Sequence, residues 1–159
     1  MQRPILVFIS LAFFLGGLTS CKFYKHMLTS GGGCDTTIWD HVYRPNRLKI
    51  LESCITVRGT IIGKDYTTDG DASYFLKLDA GQDSLLYKAN YRQLNGNLMI
   101  EIVCAGPVSR KDPKKGCKGY VNNVAEPTVG AHVSVTGTYV IDRHNQWSEI
   151  HPVTRIDRL

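Results

Sequence analysis

The sequence predicts an all-β domain of five short strands coiled into one small closed sheet. Three observations predict it. Runs of β-branched residues alternate with polar ones, turn-forming Gly, Asn and Asp clusters separate those runs, and a glycine sits inside the first run. A strand that carries an interior glycine is marked for a bulge or sharp bend, as a sheet that coils on itself requires.

Ile55 to Ile62, Ile-Thr-Val-Arg-Gly-Thr-Ile-Ile, is the first strand, with Gly59 as its bend. Leu48, Ile50 and Leu51 upstream either anchor a loop on the sheet or begin this strand. The turn Thr67-Thr68-Asp69-Gly70-Asp71 leads into a second strand, Tyr74 to Asp79, and the two make a hairpin. Asn95-Gly96-Asn97 introduces the third, Leu98 to Val103. Residues 104–128 read as an irregular segment with room for one short helix. After Gly130, Val133, Val135 and Gly137 alternate with Ser134, Thr136 and Thr138 in a fourth strand. Asp142 to Gln146 turns the chain into the fifth, Ser148 to Arg158. Period-2 alternation sends Ile150 and Ile156 to the core and leaves Trp147, Glu149, His151, Val153 and Arg155 on a polar or half-covered face. Pro152 ends ladder pairing there. Segments 34–53 and 82–96 are loops or short helices packed on the sheet.

Five strands, a glycine-bent first strand and a longer connection between the third and fourth match the small five-stranded OB-like Greek-key barrel. "VRGTIIG", "YFLKLD" and "VGAHVSVTGTYV" resemble OB-fold strands one, two and four. A generic β-sandwich is the alternative.

The N-terminus carries an address. Arg3 precedes an uncharged apolar stretch from Ile5 to Leu18, too short to span a bilayer as a helix and fitted to a signal-peptide core. It ends in Leu18-Thr19-Ser20-Cys21, which resembles the bacterial lipobox. That resemblance implies cleavage before Cys21, diacylglycerol on its thiol and usually an acyl chain such as palmitate on its new amine. One chain holds a protein only marginally, at about 0.8 kcal/mol per buried methylene, whereas two or three make attachment effectively permanent. Lys22, rather than aspartate, follows the cysteine, and this resembles lipoproteins sorted to the outer membrane of a two-membrane cell. Residues 1–20 are therefore the signal, 21–33 a lipidated cysteine and flexible tether ending in Gly31-Gly32-Gly33, and 34–159 the folded domain.

Four cysteines remain, Cys34, Cys54, Cys104 and Cys117. In an exported domain they favour two disulfides, with three pairings open. The polar loop with Pro107, Pro113 and Gly116 favours Cys104–Cys117, leaving Cys34–Cys54. No Cys-x-x-Cys pair points to metal on the thiols. The formal net charge of +5 is mild; it permits anionic lipid, glycan or nucleic acid as partners and requires none. Arg110-Lys111-Asp112-Pro113-Lys114-Lys115, the densest basic spot, reads as a solvated loop.

"CDTTIWDHVYRPNRLKILESCITVRGTI" and "GTYVIDRHNQWSEIHPVTRI" together resemble a group of uncharacterised secreted bacterial proteins with an OB-like domain. Their C-terminal signature is Trp-x-Glu-Ile-His-Pro, here Trp147-Ser148-Glu149-Ile150-His151-Pro152. Relatives often carry His-Gly-Trp where this chain has His144-Asn145-Gln146-Trp147, so the longer turn separates His144 from the shared pattern. The resemblance implies a fold and no reaction.

The signature defines the polar cluster Asp142, His144, Trp147, Glu149 and His151 on one hairpin. A hydrogen-bonded structural cluster is the plain reading. Metal binding by imidazole and carboxylate, or acid–base chemistry, is the sharper one. No nucleophile triad, phosphate-cradling loop or paired-carboxylate motif occurs elsewhere, and no catalytic residue, metal or cofactor is assigned.

The leading functional expectation is a non-catalytic binding or interaction module at the cell envelope, taking a glycan or an envelope protein. OB-folds bind ligands across strands two and three, which here would offer Tyr74, Lys77, Tyr87, Tyr91 and Arg92. Two alternatives stand beside it: a surface single-stranded DNA binder, with affinity that falls with salt, and a metal-dependent hydrolase on His144, Glu149 and His151.

Overall fold

The computed structural model describes residues 33–109 and 114–159. The signal peptide, Cys21, nearly all of the tether and residues 110–113 of the basic loop lie outside the described residues. The chain is mostly β, and its five strands form one sheet that closes into a ring. They are β1 (Leu48–Tyr66), β2 (Ala72–Leu78), β3 (Leu98–Ile102), β4 (His132–Asp142) and β5 (Ser148–Arg158), in the order β1-β2-β3-β5-β4. β4 then pairs back onto β1, and every pairing is antiparallel except β3 with β5. All five predicted strands are present at their predicted places.

β1 is more than twice as long as the sequence suggested, because one bent strand serves two partners. Its first part pairs with β4 from Leu48↔Asp142, its second with β2 as far as Tyr66↔Ala72, and breaks in register bend it on the way. At the crossing Gly59 sits between Leu78 and Val133. A Cβ there would lie 2.3 Å from the Lys77 carbonyl oxygen, so the predicted bend residue is a close-approach glycine. The register break falls just beyond it, between Ile61 and Gly63. Leu48 and Leu51 are covered as expected, but Ile50 is 53% exposed and anchors nothing.

Inside the ring, Val57, Ile61, Tyr74, Leu76, Leu98, Ile100, Ile102, Val135 and Ile150 form the core. Each contributes about 1.5–3 kcal/mol by leaving water. Val153 joins them, against the alternation read from the sequence. The register between β4 and β5 breaks on both sides of Gly137, next to the cis His151–Pro152 peptide, and this moves Val153 onto the face of Ile150. Pairing of β3 with β5 covers only Met99↔Glu149 and Ile100↔Ile150, so that ladder ends before Pro152 while β5 continues along β4.

A second layer covers part of the outside. A 3₁₀ turn over Thr36–His41 is capped by Asp35, which accepts the Thr37 N–H at 2.9 Å. It brings Ile38 and Val42 against Leu48, Val103 and Val140. The disulfide Cys34–Cys54 ties the start of this cover to β1, and Cys104–Cys117 closes the loop after β3, so both bridges form as favoured. His41 Nδ1 lies 2.6 Å from the Gly116 carbonyl, and its ring stacks on Tyr120 with centroids 3.7 Å apart. The two stapled segments therefore hold each other. A short helix, α1 (Lys88–Gln93), lies between β2 and β3, and a single turn, α2 (Lys114–Cys117), precedes β4.

Candidate functional site

Strand register puts Ser73 opposite Glu101, and the parallel pairing sets Met99 beside Glu149 on the outer face of the ring. The sequence reading left Glu149 and His151 on a polar or half-covered face. Both are fully buried, because the stapled outer layer lies over that face. Buried ionisable groups need partners, and here they find one another. The His151 Nδ1 is hydrogen-bonded to Glu149 Oε1 at 3.1 Å and lies 2.8 Å from Glu101 Oε2. Trp147 donates its indole N–H to Glu149 Oε2 at 2.7 Å, and the Ser73 hydroxyl donates to Glu101 Oε1 at 3.0 Å. On the other side of the imidazole, Nε2 faces Asp71 Oδ2 at 3.6 Å, beyond hydrogen-bond reach. Asp71 accepts the Cys104 backbone N–H at 2.9 Å through its other oxygen.

Arg47 closes the cluster towards solvent, with its guanidinium 3.3 Å from Asp142 and 3.9 Å from Glu101. Asp142 also accepts the backbone N–H of His144 at 2.7 Å and the side-chain amide of Asn145 at 2.9 Å, which fixes the β4–β5 turn.

The charges shift one another. Burial pushes Asp71 up to about 7, with the Glu101 charge in support and His151 opposed. Burial and the Glu101 charge likewise raise Glu149. Burial acts against ionised Glu101 too, but His151, Arg47 and Ser73 together hold its carboxyl below the ordinary value. Burial also disfavours a charged His151, yet Glu101 and Glu149 hold it well above the usual imidazole range.

Above the cluster lies a cleft of about 240 Å³. The β1–β2 loop (Thr67, Asp69), the outer face of β2 and β3 (Ser73, Phe75, Met99, Glu101) and the β4–β5 turn (Asn145, Trp147) line it. Asp65, Asp142 and Arg47 complete the wall. Four carboxylates against one guanidinium make it acidic.

Of the signature residues, Asp142, Trp147, Glu149 and His151 come together, and His144 does not. It is exposed on the turn and lines a separate hollow with Tyr43, Arg44, Asn46, Arg47 and Asp69. The proposed ligand-binding set is dispersed as well. Tyr74 points into the core, where its hydroxyl donates to Glu126. Lys77 is exposed on the outer face of β2, while Tyr87, Tyr91 and Arg92 are exposed at the start and along α1. None of the five lines the cleft. The residues missed were Arg47, Asp71 and Glu101, which come from three distant segments. Only closure of the sheet, which brings the starts of β1 and β2 beside β3, unites them, and one sequence does not display that. No protein-family model matches the chain, and no curated protein matches it significantly.

Proposed function

We propose that this chain is a membrane-anchored bacterial lipoprotein whose domain, an OB-like Greek-key barrel, is a non-catalytic binding module at the cell envelope. The position of the cleft carries the reading. OB-folds bind oligosaccharides and oligonucleotides across strands two and three and at the loops between strands one and two and strands four and five. The cleft uses those same four elements. The ring order β1-β2-β3-β5-β4, with one parallel contact between β3 and β5, supports the same fold.

Charge selects among ligands. Asp65, Asp69, Glu101 and Asp142 would repel a phosphate backbone, whose binding depends on cations that release counterions. Carboxylates that accept hydroxyl hydrogens, beside the rings of Trp147 and Phe75, suit a glycan instead. The hydrolase alternative loses its three-residue set, since His144 stands apart from Glu149 and His151. The Leu18-Thr19-Ser20-Cys21 box supplies the anchor, and Lys22 after it supports the outer membrane in a two-membrane cell.

The test uses the full chain in detergent, titrated with amino-sugar oligosaccharides and with a single-stranded oligonucleotide while Trp fluorescence is followed. Saturable saccharide binding that Trp147→Leu abolishes is expected. Salt-sensitive binding of the oligonucleotide alone would overturn the glycan reading. Labelled palmitate should enter the native chain and not Cys21→Ser; equal labelling would remove the anchor.

A further inference from the structure

Among the described residues, three buried side-chain polar atoms have no hydrogen-bond partner: Arg47 Nε, Asp71 Oδ2 and His151 Nε2. All three belong to the cluster under the cleft. A buried polar atom without a partner is costly, so three at one point call for an explanation.

Two of them face each other. His151 Nε2 and Asp71 Oδ2 are 3.6 Å apart, too far for a hydrogen bond and close to the separation of two donors on one ion. Ligands held ~2.1 Å from a tetrahedral metal lie ~3.4 Å apart. Glu101 offers a third donor, since one atom each of Asp71, Glu101 and His151 lies within 4.8 Å of the others. The opposite ring nitrogen is hydrogen-bonded to Glu149 Oε1 at 3.1 Å, the carboxylate support that orients a ligating imidazole. Among the described residues, four buried carboxylates, Asp71, Glu101, Asp142 and Glu149, share only Arg47 and His151 as cationic partners. The cluster thus has excess negative charge that a dication would offset. Glu101 also lines the cleft, which gives an ion an approach from solvent.

We propose that His151, Asp71 and Glu101 form a divalent-metal site of one nitrogen and two oxygen donors, suited to Zn²⁺ or Mn²⁺. It differs from the hydrolase set in excluding His144 and resting on Asp71. It also stands independently of the glycan reading, because it needs no ligand in the cleft.

The full chain, stripped with EDTA and desalted, is titrated with Zn²⁺ or Mn²⁺ by calorimetry. One ion per chain is expected, with a raised thermal midpoint. Asp71→Asn keeps the acceptor for the Cys104 N–H, and it should weaken binding by ~100-fold or more while the circular dichroism stays native. Glu101→Gln should weaken binding as well. No saturable binding by the native chain, or equal binding by a folded Asp71→Asn, would overturn the site. Should neither variant fold, Mn²⁺ broadening of NMR signals in the native protein decides. Broadening centred on the His151 ring supports the site, and broadening confined to the exposed His132–Asp79 pair refutes it.

Discussion

Replacing Asn90 with alanine should nearly unfold this domain, although Asn90 lies in a helix of six residues and touches no ligand surface. Its side chain stands in for a missing piece of strand. The β3–β5 ladder begins at Met99↔Glu149, so Ser148 has no β3 residue beside it. The Asn90 carboxamide fills that place: it accepts the Ser148 N–H at 2.9 Å and donates to the Ser148 carbonyl at 2.9 Å. It also donates to the Asn97 carbonyl at 3.1 Å and accepts the Tyr87 N–H at 3.0 Å. Alanine strips partners from three deeply buried backbone groups, those of Ser148 and Asn97. At about 1–3 kcal/mol for each unsatisfied group, the loss is about 3–9 kcal/mol. Domains of this size hold about 5–15 kcal/mol in total. Ser148→Ala is the control. It should cost only about 1 kcal/mol, because the Leu85 carbonyl that Ser148 Oγ contacts also accepts from Tyr139 at 2.6 Å. Urea denaturation with the disulfides intact measures both. A loss below about 1 kcal/mol for Asn90→Ala would refute the strand-substitute argument.

Stability of the metal-free protein should fall as pH rises from about 4 to about 7. Asp71 binds its proton up to about 7 when folded and only to about 3.9 when unfolded, so its contribution is full below pH 4 and lost through pH 7. The roughly three-unit difference corresponds to about 4 kcal/mol. His151, Glu101 and Asp69 face the same carboxyl, so the slope is read as native chain minus Asp71→Asn; parallel pH curves for the two would contradict it. Changing Cys104 and Cys117 to serine opens a loop of 13 residues' separation and should cost about 3 kcal/mol on chain entropy. It should also speed hydrogen exchange at the outer layer, whose His41–Gly116 contact the bridge supports; unchanged exchange would show that the layer holds without it.

The sequence by itself determined that there are five strands, their order along the chain and which of three disulfide pairings to favour. Those features follow from local alternation and turn chemistry, as in Tyr74 to Leu78 after Thr67–Asp71, and from a loop that brings Cys104 back to Cys117. Gly59 was legible as a special position, read as a bulge or bend, whereas the structure makes it a close approach to the Lys77 carbonyl with the register break just beyond it. The site was legible only in part. Trp147, Glu149 and His151 declared themselves as one strand's polar face, but alternation reports which residues share a face and not what covers it. Only the tertiary structure decided that residues 34–47, 104–109 and 114–120 cover this one and so bury Glu149 and His151. It alone brought Arg47, Asp71 and Glu101 into the cluster around His151, because Glu101 lies on β3 and Asp71 and Arg47 at the ends of β2 and β1, and their meeting is set by long-range closure of the sheet rather than by neighbours in the chain.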